Sequence, residues 1–238
     1  MTAQSYTIET IATVHSPFKE KFGVPRQPAL CDIASDIVFD SNYCPAGAEA
    51  GLEQASHIWL LFMFHQNLQQ GWKPMVRPPR LGGNKKLGVY ATRSSFRPNG
   101  IGMSVVKLSA IRRENDRLIL SVTGLDLVDG TPIVDVKPYV PYTDHAADAQ
   151  FAIAEHPPEQ RLNVIFSEKA KQTLHQHRGD LPRLEHELVQ LLQQDPRPAY
   201  KQNKSDDKLY GLRFYNFNIQ WHVKCEECHV VEITDYEN

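Results

Sequence analysis

The chain has 238 residues, 41% of them hydrophobic, and a formal net charge of only −2. That length and apolar content are enough for a large packed core and exclude a disordered protein. The most apolar run, Ile58 to Phe64, is too short to cross a bilayer, and the N-terminal residues lack the pattern of a secretory signal. We therefore expect a cytoplasmic protein that does not span a membrane.

Strand patterns dominate the first two-thirds of the sequence. Short runs joined by turns, with no alternating helices, predict an antiparallel β-barrel or a sandwich. Turn residues at 114–116 and at Asp129-Gly130 separate the last three runs. Five segments rich in β-branched and aromatic residues are the predicted strands: Thr7–Val14, His57–Phe64, Met103–Ile111, Arg117–Val122 and Pro132–Val136.

The composition changes after about Asp148, and we divide the chain into domains at residues 1–150 and 151–238. The second part is predicted to be a small α+β domain behind a linker. Its helix signals are Ser167 as an N-cap and leucines at helical spacing up to Asp195-Pro196. The predicted elements are a linker at Phe151–Glu159, a strand at Leu162–Phe166, helices at Ser167–His177 and from Leu184, and a hairpin of Asn218–Lys224 with His229–Thr234.

Charge is unevenly distributed along the chain. Sixty consecutive residues, Gln54 to Arg113, contain ten Lys or Arg and no Asp or Glu. Such segregation creates a local positive field, which attracts phosphates and favours a polyanion through counterion release. The alternative is a solvated basic surface without a partner.

The four cysteines do not form a disulfide framework, since Cys31 and Cys44 are isolated. Cys225 and Cys228 have the spacing of a metal or redox motif, and His229 follows them. A structural zinc site needs four ligands, and a c-type haem needs export. We expect a hairpin turn here and no metal.

Three polar segments are too unusual for plain scaffold: Lys21–Leu30, Arg77–Gly102 and Gly124–Tyr142. Their prolines and glycines impose defined turns, and their arginines offer forked donors for phosphate or carboxylate. No glycine-rich nucleotide motif is present. Each segment alone can be explained by turn chemistry, but together they indicate one rigid site built on loops.

These segments resemble the TrmO family of tRNA methyltransferases, also called TsaA or YaeB. The matching strings are HSPFKEKFGVPRQP, GVYATRSSFRPNGIGMSVVKL, DLVDGTPIVDVKPYVPY and DPRPAY. The resemblance implies a mainly β protein, with a single-sheet antiparallel β-barrel as its catalytic domain and a small C-terminal domain that aids tRNA binding. It also implies a homodimer with S-adenosylmethionine near the subunit interface. The implied reaction is N6-methylation of N6-threonylcarbamoyladenosine at position 37 of a threonine tRNA.

The resemblance also implies which residues contact the cofactor. Two positions depart from the family pattern: Gly100 stands where the family commonly has proline, and Ala29 where it often has glycine. The implied cofactor contacts are Gln27, Pro28, Ala29, His65, Gln66, Arg93, Met103, Leu125, Asp126 and Leu127.

Methyl transfer to a carbamoylated N6 also requires loss of a proton. Asp126, Asp135 and Tyr139 are the candidate acceptors, and Lys137 can polarise the carbamoyl oxygen. A structural hydrogen-bond network is the alternative role for each of the four.

RNA contact is expected from the basic stretch and from one C-terminal arginine. The aromatic residues Trp72, Tyr90 and Phe96 are candidates for base stacking, with core packing the favoured role of Tyr90. Two other functions stay open: a non-catalytic RNA-binding β-barrel and a small-molecule scaffold. The predicted RNA contacts are Arg77, Arg80, Lys85, Lys86, Arg97 and Arg197.

Overall fold

The computed structural model describes residues 4–156, 162–202 and 206–236. Within these ranges the chain forms twelve strands, three α-helices and six short 3-10 helices. The α-helices are α1 (Pro141–Asp144), α2 (Glu168–Gln176) and α3 (Leu184–Leu192). The strands are β1 (Ala12–His15), β2 (Ala34–Phe39), β3 (His57–Met63), β4 (Met75–Val76), β5 (Leu87–Gly88), β6 (Ile101–Glu114), β7 (Arg117–Thr123), β8 (Pro132–Pro138), β9 (Asn163–Phe166), β10 (Asp206–Phe214), β11 (Phe217–Lys224) and β12 (Glu227–Asp235).

Six strands close into an antiparallel barrel in the order β1-β2-β7-β6-β3-β8, and β8 pairs back to β1. Alternate side chains fill its interior: in β3, Ile58, Leu60 and Phe62 are buried. Gly102 of β6 lies opposite Phe62, where an added Cβ would come within 2.3 Å of the phenyl ring. The barrel is confirmed, and the sandwich alternative is wrong.

The predicted turn between β6 and β7 is also confirmed. Asn115 and Asp116 both have positive φ angles, 49° and 62°. Two successive left-handed residues form the mirror-image turn that matches the twist of a two-residue hairpin. Asn and Asp tolerate this conformation better than other side chains.

The C-terminal residues form a second sheet in the order β10-β11-β12-β9, with β9 parallel to β12. Helices α2 and α3 bury their leucines in the same core as Trp221 and Phe214. Ser167 caps α2 as predicted, because its hydroxyl accepts a hydrogen bond from the Ala170 amide at 3.1 Å.

Part of the segment between β1 and β2 packs on the C-terminal sheet. Its residues Phe18, Cys31 and Ile33 belong to the core of the C-terminal sheet. Phe18 forms a β-bridge with Phe214, beside the bond from the Tyr215 amide to the Pro17 carbonyl at 2.9 Å. The first loop of the barrel is therefore built largely on the C-terminal residues.

One predicted element needs correction, because the strand expected at Thr7–Val14 begins only at Ala12. Residues 157–159 of the expected linker lie outside the described residues. Strands β2, β4, β5 and β10 were not predicted. Of these, β2 and β10 carry charges within the strand, such as Asp36, which pairs with Arg112 at 2.6 Å on the outside of the barrel.

The Cys225-x-x-Cys228 segment is the predicted hairpin turn. Lys224 ends β11 and Glu227 begins β12, while Cys225 and Glu226 have φ angles of 44° and 67°. Cys225 is exposed and Cys228 is buried.

Across the described ranges no group of three or more His, Cys, Asp or Glu is arranged to hold a metal. In that same part of the chain, no helix has the length and hydropathy to traverse a bilayer.

Candidate active site

Four loops meet at one end of the barrel, because antiparallel strands place alternate chain ends on the same side. The first loop (residues 16–33) joins β1 to β2, and the second (64–70) follows β3. The third loop (92–100) leads into β6, and the fourth (124–131) joins β7 to β8. The three polar segments of the sequence supply most of these residues.

The first and fourth loops touch through their backbones. The Ala29 amide donates to the Gly124 carbonyl at 2.9 Å. Gly124 has a φ of 82°, and an added Cβ there would lie 3.3 Å from the Ala29 Cα and amide nitrogen. Leu125 and Leu127 are buried in the barrel core and anchor the fourth loop.

Ala29 itself has a φ of 61°, a left-handed conformation that costs a residue with a Cβ roughly 1–2 kcal/mol. This explains why glycine suits the position. We expect Ala29→Gly to raise the free energy of unfolding by about 0.5–1 kcal/mol, as the relieved strain outweighs the entropy cost of glycine. Urea denaturation measures the change.

Ala34→Gly is the matched control, because Ala34 is an exposed strand residue outside the set with positive φ. The same substitution there is expected to lower stability by about 0.5–1 kcal/mol. A loss of stability in both variants would show that the backbone at Ala29 is unstrained.

Asp126 lies at the centre of the loop contacts. The Ser104 hydroxyl donates to its carboxylate at 2.7 Å. Burial raises the pKa of Asp126 to about 6, against the opposing effects of the Ser104 hydrogen bond and the positive charge of Arg93. Arg93 in turn donates to the Gln27 side-chain oxygen at 2.9 Å, so the first, third and fourth loops are linked.

The second loop joins the same cluster through Lys21. The Lys21 ammonium donates to the Gln66 carbonyl at 3.1 Å and to the Asn67 side chain at 2.6 Å. Asn67 donates to Ser95 of the third loop at 2.9 Å. His65 and Gln66 open the 3-10 helix of this loop.

Gly100, the other departure from the family pattern, also has a left-handed backbone, with a φ of 62°. Proline is fixed near −65° and cannot adopt it. An added Cβ would come 2.5 Å from a Leu68 methyl. The third loop as it is seen here therefore requires a residue without a Cβ at position 100.

The remaining candidates lie on the outer face of the barrel. Met103 and Asp135 both pair with Leu61, and Lys137 pairs with Trp59. The Asp135 and Lys137 side chains form an ion pair at 2.8 Å. The structure thus separates these residues from Asp126, which reaches the inward-facing Ser104.

Tyr139 follows them along the outer face. Its ring lies 6.0 Å from that of Trp59, and its amide donates to the His57 carbonyl at 3.0 Å. These are the contacts of a side chain packed on the barrel wall. Of the four proposed catalytic groups, Asp126 is the one that contacts the inward-facing Ser104.

The predicted RNA contacts divide into exposed and internal residues. The side chains of Arg77, Lys85 and Lys86 are exposed. Arg80 is also exposed but donates to the His156 carbonyl. Arg97 holds the third loop together by donating to the Thr92 carbonyl at 2.7 Å.

Two predictions about this surface are wrong. Arg197 is only 1% exposed and pairs with Asp195 through two hydrogen bonds of 2.7 and 2.8 Å, so its side chain is not available to RNA. Tyr90 is 76% exposed rather than in the core. Trp72 is 52% exposed, whereas Phe96 is covered by the Lys73 ammonium, 4.1 Å from the ring centroid.

Sequence reasoning missed Ser104 and Lys21. Ser104 had a signal, because it is the polar residue at an inward-facing position between Gly102 and Val106. A buried polar side chain needs a partner, and here the partner is Asp126. The sequence contains no comparable signal for Lys21, since its contacts depend on how the loops meet.

Comparisons with known proteins agree along the whole chain. Residues 13–145 match the family model of the tRNA-methyltransferase O N-terminal domain, and residues 159–236 match the TrmO C-terminal domain. The chain is 44% identical over 220 residues to the tRNA (adenine(37)-N6)-methyltransferase of Escherichia coli K12, covering 92% of this chain and 94% of that protein.

A solved structure of a TrmO protein is also similar to this chain. The crystal structure of TrmO from Pseudomonas aeruginosa superposes with a TM-score of 0.80 at 36% identity, covering 98% of this chain and 99% of that one. The barrel with its loop cluster is thus that of a tRNA methyltransferase. More specifically, the chain belongs to the tRNA-methyltransferase O family. The non-catalytic barrel and the small-molecule scaffold are thereby set aside.

Proposed function

We propose that this chain transfers a methyl group from S-adenosylmethionine to N6 of N6-threonylcarbamoyladenosine at position 37 of a threonine tRNA. Relatives named as tRNA (adenine(37)-N6)-methyltransferases support the enzyme class and the position. The observation that carries the chemistry is Asp126, a carboxylate with a raised pKa among four loops.

The loop cluster has the donor set that the methyl donor requires. Arg93 offers a guanidinium for its carboxylate, and Asp126 offers an anion near its positive charge. The Pro28 and Ala29 carbonyls offer acceptors for its adenine amino group, while the Ala29 amide is already bonded to the Gly124 carbonyl. When bound, S-adenosylmethionine supplies an electrophilic methyl group on a sulfonium. Gln27, His65, Gln66, Leu125 and Leu127 complete the proposed site, and Met103, on the outer face of the barrel, remains a candidate from the family resemblance.

Asp126 is the proposed proton acceptor. With S-adenosylmethionine bound as the methyl donor, the Asp126 carboxylate would accept the proton that N6 has to lose on methylation. A base is most effective when its pKa lies near the working pH, and burial has moved Asp126 towards that range. The Ser104 hydroxyl keeps the carboxylate oriented through its 2.7 Å bond.

Asp135, Lys137 and Tyr139 are then second candidates for contact with the threonylcarbamoyl group. Asp135 and Lys137 are each at least 41% exposed at their side chains, on the outer face. Groups so open to solvent suit recognition of a polar substituent better than abstraction of a proton.

The proposed RNA surface consists of the exposed Arg77, Lys85 and Lys86 together with Trp72 and Tyr90. The cations would contact phosphates, and the two exposed rings are available to stack on unpaired bases. Both rings and all three cations belong to the segment without acidic residues. Arg80 and Arg97 are assigned to loop structure first.

A homodimer is part of the proposal, through the outer face of β3 and β6. Trp59, Leu61, Met63, Met103 and Val105 point outward there, where a solvent-facing strand normally carries polar residues. Met103 is 54% exposed. A second copy over this face would place the cofactor site beside the subunit interface.

We expect Met103→Glu to convert the dimer to monomer. The side chain is exposed in one chain, so the barrel tolerates the change, whereas an interface would bury an unpaired carboxylate at a cost of several kcal/mol. Light scattering after size-exclusion chromatography measures the mass. Val231→Glu, 37% exposed on the C-terminal sheet, is the control and is expected to stay dimeric.

Either of two results would contradict the proposed face. A parent chain that is monomeric at all accessible concentrations removes the dimer. A Met103→Glu variant that dimerises as tightly as the parent places the interface elsewhere.

We further propose that residues 1–150 form the catalytic barrel domain of a cytoplasmic enzyme and that residues 151–238 aid tRNA binding. The direct test of function is mass spectrometry of nucleosides from tRNA of a strain lacking the protein. In that strain we expect threonylcarbamoyladenosine without the N6-methyl group in place of the methylated nucleoside. Incubation of the tRNA with purified protein and S-adenosylmethionine should restore the methylated form. An unchanged nucleoside profile would contradict the substrate.

A further inference from the structure

Several hydrogen bonds hold the first loop to the C-terminal residues. Asp32 accepts from Arg183 at 3.0 Å, and its amide donates to the Gln190 side chain at 2.6 Å. At the other side of the loop, the Arg26 guanidinium donates to the Arg197 carbonyl at 3.1 Å. The loop that carries the proposed cofactor contacts is therefore shaped by helix α3 and the turn after it.

The acceptor for Arg26 is rigidly placed. Asp195 and Arg197 form a two-pronged ion pair, and both side chains are 1% exposed. Asp195 also accepts from the Arg197 amide at 3.3 Å, which closes a tight turn. Breaking a buried pair leaves an uncompensated charge, so the turn has little freedom to rearrange.

Arg26 continues this rigid contact into the site. Its carbonyl accepts from the Gln27 side-chain nitrogen at 2.5 Å, and the Gln27 oxygen accepts from Arg93 at 2.9 Å. The two bonds together fix which way the Gln27 amide faces, and they hold the Arg93 guanidinium. Arg93 is the charged group that acts on Asp126.

We propose that Arg26 is a positioning residue for methyl transfer, which ties the cofactor loop to the Arg197 carbonyl and thereby fixes Gln27 and Arg93 at the cofactor site. The inference rests on the proposed function. Arg26 does not contact the reacting atoms in this proposal, and it acts through the neighbouring Gln27. The buried Asp195–Arg197 pair is the anchor of this arrangement rather than an RNA contact.

The test compares Arg26→Ala and Arg26→Lys with the parent chain. We expect Arg26→Ala to raise the KM and the calorimetric Kd for S-adenosylmethionine about tenfold, or about 1.4 kcal/mol, with kcat at saturating cofactor within about twofold. Affinity for tRNA should not change. Lysine can still donate to the carbonyl, so Arg26→Lys should recover most of the cofactor affinity.

Arg183→Ala is the matched control. It removes another arginine that ties the same loop to the C-terminal residues, but through Asp32 rather than Gln27. Its cofactor affinity should match that of the parent. Thermal melting of all three variants checks that each is folded.

A pH profile separates positioning from a general loosening of the fold. Asp126 faces the Ser104 hydroxyl from β6 and the Arg93 charge from the third loop. Release of Arg93 removes the contribution that lowers the Asp126 pKa. The midpoint of the rate profile should therefore move to higher pH in Arg26→Ala and stay in place in Arg183→Ala.

Failure of this inference differs from failure of the proposed function. A parent chain that neither binds S-adenosylmethionine nor methylates tRNA removes the function itself. An active parent whose Arg26→Ala variant has the same KM and pH midpoint overturns the role of Arg26. Weaker tRNA binding with unchanged cofactor affinity also overturns it, because Arg26 is then an RNA contact.

Discussion

Asp126→Asn is expected to slow methylation by a factor of about 10²–10⁴, the usual contribution of a positioned base. Asparagine has the same shape and can still accept the Ser104 hydrogen bond, so the variant keeps the placement of the side chain and loses its proton acceptor and its negative charge. Single-turnover rates at saturating tRNA and S-adenosylmethionine measure the chemical step. Cofactor affinity, followed by calorimetry, should stay within about threefold, or less than about 1 kcal/mol.

Asp135→Asn is the discriminating variant, since Asp135 is the competing carboxylate on the outer face. A loss confined to Asp135→Asn would transfer the role of base to that residue. In the parent, the rate should rise with pH through about 6, because only the ionised Asp126 accepts a proton. Asp126→Asn should lose this limb.

Ionisation of the Asp126 carboxylate, which raises the rate, lowers the stability of the folded chain. Its folded-state pKa of about 6 lies above its ordinary value of 3.8, so folding favours the protonated form. The contribution is fully present below pH 3.8 and is lost as the pH rises through 6. In the parent, the free energy of unfolding should therefore fall as the pH rises from 3.8 to about 6. This fall should be absent in Asp126→Asn.

The triple variant Arg77→Ala, Lys85→Ala and Lys86→Ala is expected to weaken tRNA binding strongly. Each phosphate contact releases counterions, so the slope of log affinity against log salt should shrink by about 2–3. At low salt the loss should reach about 10–100-fold, or about 1.4–2.8 kcal/mol. Filter binding across a salt series measures both quantities, and cofactor affinity should stay unchanged.

Arg117, Lys171 and Arg178 provide the control triple, because they are exposed cations outside the acid-free segment and none of them is a proposed RNA contact, although Lys171 and Arg178 belong to the C-terminal residues. Their removal changes net charge equally and should leave most of the salt slope. Equal losses in both triples would indicate an effect of net charge, and the acid-free segment would lose its role as the RNA surface.

The barrel was predictable because its strands carry local signals. His57 to Met63 alternates buried and partly exposed residues, and Asn115-Asp116 has the chemistry of a tight turn. Strand β2 was not, because Asp36 depends on Arg112 of another strand to be stable there. Local propensity does not contain that partner.

The candidate site was predictable to the level of segments. The polar loops signalled a site, and the family resemblance supplied residues such as Gln27 and Asp126. What each side chain does depends on contacts across the chain: Arg197 resembles an available cation in the sequence, yet Asp195 buries it. Such pairings form only when the loops meet, so composition and spacing do not predict them.

The placement of Phe18, Cys31 and Ile33 in the C-terminal core has a consequence for synthesis of the chain. During translation these residues leave the ribosome long before their partners, such as Phe214 and Trp221. The segment between β1 and β2 therefore cannot complete its packing before β10 and β11 have been made. Completion of the cofactor loop thus follows that of the barrel strands, and a nascent chain that stalls after the barrel strands is a natural client for chaperones.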